Sequence, residues 1–175
     1  MKGNLLVLGV DYELSKQVAI ELADVFSLRY FDQKELLLFD HVPLSFGEII
    51  EKNNIEYIFK KMRSIIKMEL DFEGAVFASD SCVVTNCEDL FDKIKHSNLI
   101  IALNGRLKEE FNQLQNKQYD SNQEKEFYCI SKSEIIERKQ KFTNLADIVV
   151  DVTNLTPQQI CNEVVDKIKQ FYNLK

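Results

Sequence analysis

Four apolar residues in a row, Leu5-Leu6-Val7-Leu8, followed at once by Gly9, constrain this chain more than any other feature. Alternate side chains of a strand point to opposite sides of a sheet, so an unbroken apolar run suits a strand covered on both faces. Gly9 ends the run. From Ser15 the period changes: Val18, Leu22 and Val25/Phe26 recur at helical spacing, with Lys16, Gln17, Glu21 and Asp24 opposite them. Ser15 is placed to cap that helix. Leu5 to Asp32 thus reads as a buried strand, a turn, an amphipathic helix and the start of a second strand.

The pattern repeats down the chain. Leu28 to Phe31 gives a short strand closed by Asp32, and Gln33 to Phe39 a brief helix. Ser45 caps a segment through Ile50. Ile55 to Leu70 is a long amphipathic helix, apolar at Ile58, Phe59, Met62, Ile65, Ile66 and Leu70, polar at Lys60, Lys61, Arg63, Lys67 and Glu69. Ala75 to Ala78 is a strand and Ser79 to Cys82 a turn. Cys87 to Lys95 and Arg106 to Gln115 read as helices around the strand Asn98 to Leu103. Asn116 to Glu126 is polar throughout and reads as a mobile surface loop. Ser131 opens a helix to about Leu145, and Asp147 to Val152 is a strand. Thr156 and Pro157 start the last helix as N-cap and first helical residue. Strands alternating with helices predict an α/β domain with a parallel sheet covered on both sides, its ligands at the carboxyl ends of the strands. Those ends are Gly9 onward, Asp32, Ser79-Asp80-Ser81 and Asn104-Gly105.

Length and composition narrow the class. The 175 residues fit one domain, 1–175. A net charge of −6 without a long basic run argues against nucleic acid. No segment has the apolar length of a membrane span, and the first apolar run meets an acidic turn instead of a signal-peptide cleavage site. Cys82, Cys87, Cys129 and Cys161 lack C-x-x-C spacing and read as free, buried thiols of a cytoplasmic protein. His41 and His96 are isolated, which argues against a metal role.

A turn between a first strand and a helix is where a phosphate loop sits, because free N–H groups and the helix dipole point there. That loop needs G-x-x-x-x-G-K-[ST]: glycines to wrap the phosphates, a Lys to neutralise them, a hydroxyl for Mg²⁺. The chain offers Gly9-Val10-Asp11-Tyr12-Glu13-Leu14-Ser15-Lys16-Gln17. Only the first glycine is in register. Leu14 takes the second glycine position, Ser15 the Lys position and Lys16 the hydroxyl position. Asp11 and Glu13 add negative charge beside any phosphate.

Over nearly its full length the chain resembles the shikimate kinase family. The likeness is carried by LLVLG…VAIELAD with Phe31-Asp32, SFGEIIEKNNIEYIFKKMRSIIKMEL, GAVFASDSCVV, LIIALNGRLKEEFNQL and ERKQKFTNLADIVVDVTNLTPQQICNEVV, in the family's order and spacing. The resemblance implies a three-layer α/β/α P-loop kinase architecture with a five-stranded parallel sheet. It implies a substrate-binding helical region over about 33–70 and a mobile lid over about 116–130. The family's reaction is ATP-dependent phosphorylation of the shikimate 3-hydroxyl, with Mg²⁺, in aromatic amino-acid biosynthesis.

Carried over residue by residue, the resemblance assigns Gly9, Ser15, Lys16 and Pro157 to the nucleotide, with Pro157 in the stretch lining the adenine pocket. It assigns Asp32, with Lys16, to catalysis and Asp32 also to Mg²⁺. Lys60, Asp80 and Arg138 fall at substrate-binding positions. Lys34 replaces the second carboxylate of the family's Asp-x-Asp pair. Lys60 stands in for an Arg, keeping the charge and losing the bidentate fork. Asp80-Ser81-Cys82 replaces a Gly-Gly-Gly turn, and no Arg lies between Leu107 and Glu137 to serve the lid. Three readings follow: a shikimate-kinase-like protein whose reaction is weak or lost and which serves a protein partner; a divergent kinase using ATP and Mg²⁺ through Lys16 and Asp32; and a module that holds shikimate or a related carboxylate with Lys60 and Arg138, without ATP.

Overall fold

The computed structural model describes residues 3 to 128 and 131 to 174. The apolar run becomes β1 (Asn4–Gly9), and α1 (Tyr12–Val25) follows after Val10 and Asp11. Next come β2 (Arg29–Asp32), α2 (Gln33–Phe39), α3 (Phe46–Asn53) and α4 (Ile55–Glu69). β3 (Ala75–Asp80) runs straight into the short α5 (Ser81–Val84), where the sequence predicts a turn. A single 3-10 turn (Glu88–Leu90), α6 (Phe91–Ser97), β4 (Asn98–Asn104) and α7 (Leu107–Asn116) follow. α8 (Asn122–Tyr128), α9 (Lys132–Leu145), β5 (Ile148–Asp151) and α10 (Pro157–Tyr172) complete the chain.

The five strands are parallel, in the order β2-β3-β1-β4-β5. Period 2 divides their side chains between two cores. Leu6, Leu8, Phe77, Ile100 and Ala102 face Leu37, Ile49, Ile58, Met62 and Phe142 from helices on one side. Leu5, Val7, Val76, Ala78, Leu99 and Ile101 face Val18 and Leu22 of α1 and Ile160 and Val164 of α10 on the other. β1 is therefore buried along its whole length. Burying each large apolar side chain contributes about 1.5–3 kcal/mol before entropy is counted.

The topology creates a crevice. Gly9 and Asp80 are register partners at the carboxyl ends of β1 and β3. The chain leaves β1 for α1 on one face of the sheet and leaves β3 for α5 on the other, since Val18 and Cys82 lie in opposite cores. Adjacent strands whose connections diverge in this way open a ligand crevice between them.

Helix ends follow the capping signals. Ser45 and Thr156 form capping boxes with Glu48 and Gln159, and Pro157 occupies the first turn of α10. Asn54 adopts φ 79° and caps α4, letting α3 and α4 meet with no linker. Cys82, Cys87 and Cys161 are free and buried, and Cys129 lies outside the described residues. No helix among the described residues is long and apolar enough to cross a membrane.

Candidate functional site

The turn after β1 is short and filled by its own side chains. Asp11, not Ser15, caps α1: its Oδ1 accepts the N–H groups of Glu13 at 3.0 Å and Leu14 at 3.3 Å. Those are donors that a helix N-terminus offers an anion. Asp11 Oδ2 accepts Gln113 Nε2 from α7 at 2.5 Å, so both oxygens are engaged. Ser15 lies inside the first turn, fully buried, donating to the Asp11 carbonyl at 3.0 Å. Strand and helix approach so closely here that a Cβ on Gly9 would stand 2.8 Å from Ser15 Oγ. The glycine serves that contact.

Asp32 is the hub of the neighbouring cluster. It is 3% exposed and caps α2 through the Glu35 N–H at 3.0 Å. Tyr12 donates its hydroxyl to Oδ1, and Tyr30 donates to Oδ2 at 3.3 Å. Lys16 Nζ sits 3.1 Å from Oδ2 and 2.5 Å from Glu35 Oε1. The Lys16 amine is thus drawn to the start of α2. Its pKa is raised, first by the hydrogen bond to Glu35 and then by Asp32. Burial, then the Asp32 charge, pushes the Tyr12 and Tyr30 hydroxyls well up, so both remain donors.

The other predicted residues fall in three environments. Gly9 and Pro157 line one cleft of about 240 Å³ with Asp11, Arg106 and Thr153. Lys60 is exposed on α4. Asp80 and Arg138 are buried, at 6% and 8% exposure. Asp80 Oδ1 accepts the Cys82 N–H at 3.0 Å, while Oδ2 is buried without a partner. Arg138 Nη1 donates to the Tyr128 carbonyl at 3.4 Å. A larger cavity, about 420 Å³, opens over the β1–α1 turn between Val10, Tyr12, Glu13, Leu114, Lys117 and Tyr128. No group of three or more His, Cys, Asp or Glu side chains among the described residues is arranged to hold a metal ion.

Sequence reasoning missed two clusters beside the site. The stretch predicted as loop holds the first five residues of α8, among them the buried Glu124. Glu124 Oε1 lies 3.5 Å from Lys34 Nζ, and Oε2 accepts the Asp120 N–H at 2.8 Å. The Lys34 ammonium also sits 4.5 Å from the Phe46 ring centroid and 5.3 Å from that of Tyr128, a cation–π arrangement. Gly47 leaves room for this docking: a Cβ there would lie 2.7 Å from Asp120 Cβ. Glu124, Phe127 and Tyr128 have helical i, i+3, i+4 spacing, the signal that betrays α8. The second cluster lies behind the site. Glu69, expected on the polar face of its helix, is buried and accepts Gln33 Nε2 at 2.6 Å. Gln33 in turn accepts the Ser79 hydroxyl. Burial pushes the Glu69 carboxyl up to about 8.

Neither a family model nor a curated protein sequence matches the chain. Solved structures do. Shikimate kinase from Aquifex aeolicus superposes with a TM-score of 0.76 at 17% identity, covering 95% of this chain and 96% of that one. Shikimate kinase from Acinetobacter baumannii, solved with shikimate, gives 0.75 at 10% identity over 96% and 93%. Dephospho-CoA kinase from Campylobacter jejuni gives 0.54 at 13% identity over 98% and 100%. The architecture is a shikimate-kinase-like P-loop kinase fold.

Proposed function

We propose that this shikimate-kinase-like protein has given up, or nearly given up, ATP-dependent phosphorylation and acts as a binding or interaction module. One observation carries the reading: the Asp11 carboxylate occupies the Glu13 and Leu14 N–H groups at the start of α1. A carboxylate held there takes the donors that a phosphate needs and repels phosphate charge. Val10 and Asp11 alone bridge β1 and α1, leaving too little backbone to wrap a triphosphate. Lys16 is paired with Asp32 and Glu35, away from the turn. The oxygens of Asp32 are shared among Tyr12, Tyr30, Lys16 and the Glu35 N–H, which leaves a poor ligand set for Mg²⁺. ATP and Mg²⁺ are therefore cofactors that these residues do not fit.

A second reading keeps the substrate side of the family. Arg138 is buried with one long hydrogen bond, and a buried guanidinium with free donors suits a carboxylate such as that of shikimate. Lys60 is exposed on α4, so any part it takes is made from the surface.

Calorimetric titration with Mg-ATP, then with shikimate, tests both readings. The expected result is silence with nucleotide. Micromolar nucleotide binding, with ADP release that Lys16→Ala abolishes, overturns the proposal in favour of a working kinase using Lys16 and Asp32. Heat with shikimate alone supports the carboxylate reading.

A further inference from the structure

The cavity over the β1–α1 turn, about 420 Å³, has the size of a small-molecule site. Val10, Tyr12, Leu114 and Tyr128 line it, and each is 6% exposed or less. One polar atom there is left over. Tyr12 gives its hydroxyl to Asp32. The Tyr128 carbonyl accepts from Arg138, but the Tyr128 hydroxyl makes no hydrogen bond among the described residues. Its ring is held by Phe46, Tyr119 and Phe127. Its oxygen is not sealed into the packing as Asp80 Oδ2 and Ser81 Oγ are, so it opens onto the cavity that the residue lines. Burial above all pushes its pKa well up, and the group stays a neutral O–H that both donates and accepts.

The charges around the cavity already have partners. Asp11 accepts the Glu13 and Leu14 N–H groups and Gln113 Nε2. Glu110 accepts the Gly105 N–H and pairs with Lys139. Glu13 and Lys117 stand 3.8 Å apart, and the Lys117 ammonium also lies 5.5 Å from the Tyr128 ring centroid. An ion of either sign entering here gives up its water and finds its counter-charge taken. A neutral molecule avoids that penalty. Two tyrosine rings and one open hydroxyl select further. Aromatic rings pack favourably on one another, and a ligand hydroxyl can meet the Tyr128 hydroxyl as donor or as acceptor.

We propose that this cavity binds a neutral phenol, its ring against Val10, Tyr12 and Leu114 and its hydroxyl on that of Tyr128. The proposal deepens the binding-module reading above by naming the class of ligand, and it rests on that reading for a turn free of phosphate.

Four probes of one shape test it: 4-methylphenol, toluene, 4-methylbenzoate and 4-methylbenzylamine. Each is titrated at millimolar concentration into the ¹⁵N-labelled protein, without nucleotide. 4-Methylphenol is expected to bind about fivefold more tightly than toluene, the margin of one neutral hydrogen bond, and both more tightly than the two ions. The shifted amides should centre on Val10, Tyr12 and Leu114. Tyr128→Phe, checked for folding by circular dichroism, is expected to remove the fivefold margin and leave toluene binding unchanged. Should that variant not fold, the wild-type ranking and the position of the shifted amides decide. Toluene binding as tightly as 4-methylphenol overturns the role of the Tyr128 hydroxyl. A benzoate or benzylamine that binds most tightly overturns the neutral ligand, and silence with all four, or shifts centred elsewhere, overturns the site. Mg-ATP added to the 4-methylphenol complex separates this proposal from the reading it rests on. Nucleotide that binds beside the phenol overturns the module reading alone; nucleotide that displaces it overturns both.

Discussion

Replacing Glu69 with Gln should stabilise this protein, and increasingly so as the pH rises. Glu69 is 4% exposed; Oε2 accepts Gln33 Nε2, and Oε1 has no partner. Oε1 shares that condition with Asn98 Oδ1, and both residues line the same cavity of about 10 Å³. Two acceptors facing one void need a proton between them. Burial supplies the reason for one, pushing the carboxyl from the ordinary 4.5 up to about 8. The native state then holds that proton more tightly than the unfolded chain does. Stability from this group is complete below about pH 4.5 and is lost as pH rises toward 8. Full loss corresponds to about 5 kcal/mol, and the loss reached at pH 7 to about 3 kcal/mol. A Gln at 69 keeps an oxygen for Gln33, offers an N–H toward Asn98, and never ionises. Glu69→Gln should therefore match the wild type near pH 4.5 and exceed it by about 3 kcal/mol at pH 7, raising Tm by about 10 °C. Urea denaturation of both proteins by circular dichroism across pH 4.5–8.5 measures this. Parallel stability curves, or a variant weaker than the wild type at pH 8, refute the argument.

Two further outcomes are expected. Asp11→Ala removes the α1 cap and the Gln113 hydrogen bond, costing about 1–2 kcal/mol in urea denaturation. Glu124→Ala strips Lys34 of its carboxylate and should cost about 2 kcal/mol, with hydrogen exchange accelerating first in residues 120–128.

The legible parts of the fold were those written in local periodicity. The apolar run before Gly9, the stripe of the long helix and the Thr156-Pro157 start each depend on neighbours within a turn or two, and β1, α4 and α10 stand as expected. What escaped depends on partners remote in the chain. Glu69 looks like one more polar residue on its helix until Gln33 and Ser79 meet it inside. The polar stretch after α7 hides α8 because its buried carboxylate is neutralised by Lys34 from another element. The sequence put the cap of α1 at Ser15, but the turn is so short that Asp11 takes that place. Of the candidate site, the sequence displayed the residues but not their company. The pairing of Lys16 with Asp32, and the burial of Arg138 where Lys60 stays exposed, become visible only in three dimensions.

The burial of Cys82 gives the crevice a clock of its own. The thiol is 1% exposed, and burial and the nearby Asp80 lift it well above its ordinary pKa. A thiol reacts as its thiolate, so an alkylating reagent meets Cys82 as a nucleophile only while α5 and α9 have parted. Peptide-level labelling of Cys82 over time therefore counts opening events one by one.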